Sequence, residues 1–219
     1  MSGEELLKIM QKRRSVRSYS GEAVPMEKLN LILQAGMMAP SGRAIRPWEL
    51  IVIRDKQKLI DLSSCRMGGS ARMLAGADLA IAVVGDEEKS DVWTEDCCVV
   101  MENMHLMASA LGVGSCWIQC RERMAMDGET AEEYARTILQ FPAECKLEAI
   151  LSLGMPEEDW PETSLDSLPF GKIHINKYLL KEEVRYAPWR PWNGLRPRKQ
   201  ELYVRGRKEE SPAGYAGAS

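Results

Sequence analysis

No apolar run in this 219-residue chain approaches the ~20 residues needed to cross a bilayer. The opening MSGEELLKIMQKRR carries acidic residues where a secretory leader would carry its positive region, so a cytoplasmic protein with no membrane partner is expected. Six cysteines are present without a CxxC pair, and only two histidines, His105 and His174, could join them. A zinc centre or disulfide framework lacks its spacing; no metal is expected, and the cysteines read as small buried hydrophobes in a reducing compartment. GxxxxGK[ST], HExxH and GxSxG are all missing, which removes the signatures of P-loop phosphoryl transfer, zincin hydrolysis and the hydrolase nucleophile elbow. LGVGSCW (111–117) holds a GxG, but Trp117 fills the third glycine's place and a strand-like run follows, so a Rossmann loop is rejected. With no side-chain catalytic set left, any enzyme here relies on a cofactor for its chemistry.

What is present is ordinary globular composition, 45% hydrophobic and 28% charged, enough for one sizeable core. Ser2 and Glu5 have capping-box spacing and open a short helix ending near Lys12. Pro25 starts a second helix, MEKLNLILQAGMM, which Pro40, Ser41, Gly42 and Pro47 break into a loop. WELIVIRD (48–55), DLAIAVVGD (78–86), GSCWIQC (114–120) and LEAILSLGM (147–155) read as strands. Helical patterns lie between them at DKQKLIDLSS, at 91–111 and at GETAEEYARTILQF. The 91–111 pattern is apolar almost all round and is expected to have little solvent contact. Four strands interspersed with helices, without internal repeat, make the chain α/β or α+β.

The net charge of −3 is unevenly spread: residues 181–208 hold nine Lys/Arg against three Glu, whereas EEDWPETSLD (157–166) is acidic. QELYVRGR (200–207) reads as an isolated strand which, with Trp189 and Trp192, is expected to pack on a second copy of the protein; KEESPAGYAGAS (208–219) reads as a flexible tail. The basic end also leaves a nucleic-acid binder open, although it lacks interleaved aromatics and a recognition helix, and no nucleic-acid partner is expected.

The most informative stretch is KRRSVRSYSGEAVP (12–25). In an extended chain Arg13, Ser15 and Arg17 share one face while Arg14 and Val16 take the other. At ~3.3 Å per residue Arg13 and Arg17 lie about 13 Å apart, too far to serve one small phosphate together. That span suits an elongated ligand with a phosphate at one end and a polar ring at the other. A solvated basic turn is the competing reading of these residues alone.

Taken in order, RRSVRSYS, APSGRAIRPWELIVI, ADLAIAVVGD, DCCVVMENMHLMASALGVGSCWI and LSLGMP resemble the FMN-dependent nitroreductase family from about residue 8 to residue 180. The resemblance implies an α+β fold with a mainly antiparallel central sheet flanked by helices, in an intertwined homodimer with FMN at the interface. Residues 1–180 would form the FMN-binding domain and 181–207 an extension on the partner subunit. It implies that Arg13, Arg14 and Ser15 contact the phosphate and ribityl end and that Arg17 reaches the N1 and C2 carbonyl edge of the ring. Pro40, Ser41 and Gly42 would line the cofactor through main-chain groups. Ala44 stands where relatives commonly carry an asparagine, and Arg46 where they carry a glutamine. Trp117, Gln119 and Cys120 belong to the element that passes the ring near N5, the last two through main-chain groups. Lys177, or alternatively Lys172, matches a late basic residue at the phosphate, and His174 could also approach the site. The implied activity is ping-pong reduction of nitroaromatics, quinones or similar acceptors with NAD(P)H as donor. Reductive dehalogenation, flavin destruction or ene reduction on the same scaffold, and flavin binding without catalysis, remain open.

Overall fold

Four runs of β-branched and aliphatic residues become strands in the computed structural model, which describes residues 2–178: β1 (Trp48–Ile53), β2 (Leu79–Asp86), β3 (Gly114–Gln119) and β4 (Cys145–Gly154). They form one antiparallel sheet in the order β1-β2-β4-β3, so β1 and β3 are its edges. The α-helices are α1 (Gly3–Lys12), α2 (Met26–Met37), α3 (Lys56–Leu62), α4 (Trp93–Ala110) and α5 (Ala131–Leu139). The fold is α+β, as expected. The strand at 200–207, the tail from 208, Trp189, Trp192 and the domain limits at 180 and 207 lie outside the described residues.

Two compact units divide the chain, Met1–Ser167 and Leu168–Ser219. In the first unit both sheet faces are covered. Leu29 and Ile32 of α2 and Met101 and Met104 of α4 pack with Ile81, Val83, Leu151 and Leu153 on one side. On the other, Leu59 and Leu62 of α3 and Ala131 and Ala135 of α5 pack with Ala80, Ala82, Leu147 and Ile150. Every residue of β2 is buried, which is why its sequence is continuously apolar instead of alternating. Each fully buried Leu, Ile or Met contributes about 1.5–3 kcal/mol.

Local signals are met where side chains supply them. Ser2 Oγ accepts the Glu5 N–H at 3.2 Å while Glu5 Oε2 takes the Ser2 N–H, a complete capping box. Asp55 and Thr130 cap α3 and α5 one way, their side-chain oxygens accepting the Lys58 and Glu133 N–H at 3.1 Å. α4 is less enclosed than its sequence suggests. Asp96, Cys97, Val100, Met101, Met104, His105 and Ala108 are buried, but Val99 on the other side is 37% exposed.

The second unit is described by a 3₁₀ turn at Phe170–Lys172 and a stack of His174 on Tyr178 with ring centroids 4.3 Å apart.

Candidate functional site

Residues 13–20 leave α1 and run beside the end of the sheet formed by β3 and β4. Ser15 bridges to Ser115 in parallel, the Val16 N–H donates to the Ser115 carbonyl at 2.9 Å, and the Ser20 N–H donates to the Met155 carbonyl at 3.0 Å. Two glycines permit this approach. A Cβ on Gly114 would lie 2.9 Å from Val16 Cγ1 and 3.1 Å from the Gly154 carbonyl oxygen, and one on Gly154 would lie 2.6 Å from Tyr19 Cδ1. Tyr19 locks the far end, its hydroxyl 2.7 Å from Ser152 Oγ and donating to the Val16 carbonyl at 3.0 Å; burial pushes the phenol well up.

The segment's side chains divide as an extended chain requires. Arg17, Ser15 and Arg13 all act on the Cys116 thiol, each countering the burial that holds its pKa up. Arg14 and Val16 instead line a cavity of about 710 Å³ bounded by α1, the turn into β3 and residues 156–162. The Arg14 guanidinium is held there, Nε 3.0 Å and Nη2 2.5 Å from the Pro161 carbonyl. Besides Arg14 that cavity carries Lys8 and Lys12, but Glu5, Glu158, Asp159 and Glu162 outnumber its cations four to three, a poor lining for a phosphate despite its size.

Arg17 is exposed, with Nη1 on the Ser15 carbonyl at 3.2 Å. Arg13 is half-buried, and its Nη1 lies 2.9 Å from Nε2 of buried His105. His105 Nδ1 is in turn 2.7 Å from Ser115 Oγ. Burial, and then the Arg13 charge, pull the imidazole pKa down to about 4.

β3 supplies the other half of the surface. The Cys120 N–H donates to the Glu148 carbonyl at 3.0 Å, so that pair is a bonded one in the antiparallel ladder. Main-chain direction alternates along the strand, and the N–H groups of Trp117 and Gln119 therefore face the open edge. Of the two main-chain candidates near a flavin ring, Gln119 is the one whose N–H is directed outward. Its side chain is pinned: Trp117 Nε1 donates to Gln119 Oε1 at 3.0 Å, and Gln119 Nε2 donates to Glu148 Oε1 at 2.8 Å. Arg66 donates to the Gln119 carbonyl. Glu148 is only 2% exposed; its Oε2 makes no hydrogen bond and relies on the charge of Arg121, whose Nε is 3.5 Å away. The Cys120 thiol is hydrogen-bonded to Cys65, which raises the Cys120 pKa and lowers that of Cys65.

The loop before β1 is differently made. Arg43, Ala44 and Arg46 all have left-handed backbone, with φ of 54°, 57° and 53°. Three anchors hold it: Ser41 Oγ accepts the Arg46 N–H at 2.9 Å, the Gly42 N–H reaches buried Asp96 Oδ1 at 2.8 Å, and Arg43 pairs with Asp91. The Ala44 and Arg46 side chains are exposed. Pro40, Ser41, Gly42 and Ala44 are thus on one constrained turn. Lys172 and Lys177 lie in the second unit.

The sequence reading passed over His105, Ser115 and Glu148. For His105 a signal existed: it falls one helical turn after Met101 and beside Met104, on the buried stripe of α4. Glu148 sits at the register shift between Val83 and Val84, and nothing in the sequence marks that shift. Among the described residues no group of three His, Cys, Asp or Glu could hold a metal ion, and no helix is long and apolar enough to cross a membrane.

The unit is α+β, with a basic segment laid beside the edge strand β3. The chain belongs to the nitroreductase family, whose sequence model matches residues 10–67 and 61–155. It is 42% identical to a solved FMN-dependent nitroreductase from Clostridium difficile R20291, covering 78% of this chain and 99% of that one, with a TM-score of 0.76. A Bacteroides fragilis nitroreductase solved with bound FMN is 26% identical over 79% of this chain and 99% of its own, with a TM-score of 0.61. A protein of Archaeoglobus fulgidus, provisionally named NADH dehydrogenase/NAD(P)H nitroreductase, is 35% identical over 181 residues, 80% of this chain and 99% of that one.

Proposed function

We propose that the protein is an FMN-dependent NAD(P)H oxidoreductase that reduces nitroaromatic, quinone or similar small oxidised acceptors by a ping-pong cycle. The observation that carries this reading is the grouping of Arg13, Ser15 and Arg17 on one side of the basic segment, beside the outward N–H groups of β3. The donor set fits FMN: guanidinium and hydroxyl for a phosphate, a second guanidinium about 13 Å further on for a polar ring edge, and a main-chain donor for a ring nitrogen. When bound, FMN supplies the two-electron chemistry, taking hydride from NAD(P)H and giving it to the acceptor. Arg13 and Ser15 bind the phosphate. Arg17 holds a fixed positive charge at the pyrimidine edge, where negative charge develops on reduction. Gln119, immobilised by Trp117 and Glu148, offers its main-chain N–H to the ring at the reacting end. Ser41, Gly42 and Ala44 wall the ring, with Arg46 beside them. Arg14 stays on the Pro161 carbonyl.

Exposed apolar side chains support a homodimer. Leu6, Leu7 and Met10 of α1 and Leu31 and Met37 of α2 are each at least 39% exposed, and α1 buries no residue within its own chain. A second copy would cover those helices and the open face of α4.

The test is an absorption spectrum of the freshly purified full-length protein, before and after anaerobic NAD(P)H and again after an acceptor. A yellow protein that bleaches with NAD(P)H and recovers with a nitroaromatic or quinone is the expected result. Colour that NAD(P)H leaves unchanged reduces the protein to a flavin binder, and a colourless protein that takes up no FMN defeats the reading.

A further inference from the structure

The three arginines of the basic segment are restrained in different ways. Arg14 and Arg17 donate to backbone carbonyls, those of Pro161 and Ser15. Arg13 is held by a side chain, the imidazole of His105, which is 3% exposed and comes from the middle of α4. Hydrogen-bond chemistry fixes the state of that ring. A guanidinium has no acceptor, so the Nε2 that faces Arg13 Nη1 at 2.9 Å must present its lone pair. The ring proton is then on Nδ1 and is donated to Ser115 Oγ at 2.7 Å. Ser115 also accepts the Val16 N–H through its carbonyl. One residue of the edge strand thus ties the basic segment through its main chain and the histidine through its side chain.

The neutrality of this partner matters. A carboxylate in the same place would orient Arg13 equally well, but it would cancel the guanidinium charge and compete with any incoming anion. A neutral imidazole occupies one N–H and leaves the full positive charge and the remaining donors for a ligand. Glu102, one turn earlier on α4, also senses Arg13, but its carboxyl is held above the usual range because burial outweighs the guanidinium's pull. No ion pair joins it to Arg13 among the described residues.

We propose that His105 is a positioning residue for cofactor binding: as the Nδ1–H tautomer fixed by Ser115, it aims the Arg13 guanidinium at the FMN phosphate while leaving its charge uncancelled. The inference rests on the reading that the basic segment holds FMN. His105 touches neither the ring nor the acceptor; its effect is confined to the phosphate end.

Full-length wild-type protein, His105→Leu and His105→Gln are titrated with FMN and with riboflavin, which lacks the phosphate, following the loss of flavin fluorescence. The leucine variant should bind FMN about tenfold more weakly or worse, with riboflavin affinity unchanged; the glutamine variant, which restores an acceptor, should recover most of the loss. Unchanged FMN affinity in the leucine variant, or an equal loss for both flavins, overturns the proposal. Wild-type protein that binds neither flavin overturns the underlying reading as well, and so separates the two failures. Because a core substitution can impair folding, the second measurement uses the wild type alone. Nitrogen NMR of ¹⁵N-histidine-labelled protein contains two rings, His105 and His174, assigned with a His174→Gln variant. His105 should be the neutral Nδ1–H tautomer; an Nε2–H tautomer overturns the proposal.

Discussion

The two arginine-bearing stretches that flank the proposed flavin are built on opposite plans. Residues 13–20 are laid down by bonds: main-chain pairs to Ser115 and Met155, a phenol locked on Ser152, and a buried imidazole on Arg13. The loop at 40–46 has three non-glycine residues in left-handed backbone, exposed side chains at Pro40, Arg43, Ala44 and Arg46, and a short set of anchors at Ser41, Asp96 and Asp91. Each such residue costs roughly 1–2 kcal/mol relative to ordinary backbone. The contrast separates two tasks. Holding a cofactor needs donors fixed in place, whereas a wall beside the ring needs a shape that the chain does not adopt by default.

The largest expected effect strikes the bonded stretch. His105 titrates well below its ordinary value in the folded chain, at about 4 instead of 6.5, so the unfolded chain binds more protons between those limits. Stability is therefore fully present above about pH 6.5 and is lost as pH falls towards 4, by about 3 kcal/mol for this group. Glu102 and Cys116 also sense Arg13, but they are common to wild type and His105→Gln and largely cancel in the comparison. Urea unfolding from pH 7 to pH 4 should show the wild type losing that much more than the variant; parallel curves would remove the buried neutral histidine from the account.

Next in size is a change to the bed on which the segment lies. Gly114→Ala places a methyl 2.9 Å from Val16 Cγ1 and 3.1 Å from the Gly154 carbonyl oxygen. The Val16 methyl can turn away, but its Cβ at 3.2 Å and the carbonyl cannot, so a cost of about 2 kcal/mol and a lower FMN content after purification are expected. Thermal unfolding and flavin content of the variant check both. A third change leaves the bed intact and removes only charge. Arg17→Ala should keep FMN but lower its reduction potential; a loss of about 1.4 kcal/mol at the reduced ring corresponds to about 30 mV for a two-electron couple. A potential equal to the wild type's, measured by spectroelectrochemistry, would show that the cation does not reach the ring.

These contrasts also explain what the sequence disclosed. The strands and helices follow from local periodicity and caps, as in the unbroken apolar run of β2 and the Ser2–Glu5 box of α1. The alternation of Arg13, Ser15 and Arg17 against Arg14 and Val16 followed from extended geometry alone. His105 was not legible as a partner of Arg13, because 92 residues separate them and it takes the packing of α4 against both α1 and β3 to bring the ring to the segment. Glu148 depended on the register shift opposite Val83 and Val84, and the left-handed run at Arg43, Ala44 and Arg46 has no glycine at any of its strained positions to announce it. Long-range register and strain imposed by tertiary anchors leave little trace in a single sequence.

The smallest effect belongs to that loop, and its sign is opposite. Arg46 has a φ of 53°, and its N–H is already satisfied by Ser41 Oγ, so Arg46→Gly keeps the anchor and removes the penalty of a Cβ in left-handed backbone. The relief of roughly 1–2 kcal/mol is partly offset by the extra freedom glycine gives the unfolded chain, about 0.4–1 kcal/mol, for a net gain of several tenths of a kcal/mol. Melting of the full-length variant should therefore shift slightly upward, while the same substitution at an unstrained position would shift it down. A clear drop would mean that the guanidinium itself holds the loop, and the contrast between a bonded segment and a strained wall would narrow to a difference in which atoms do the bonding.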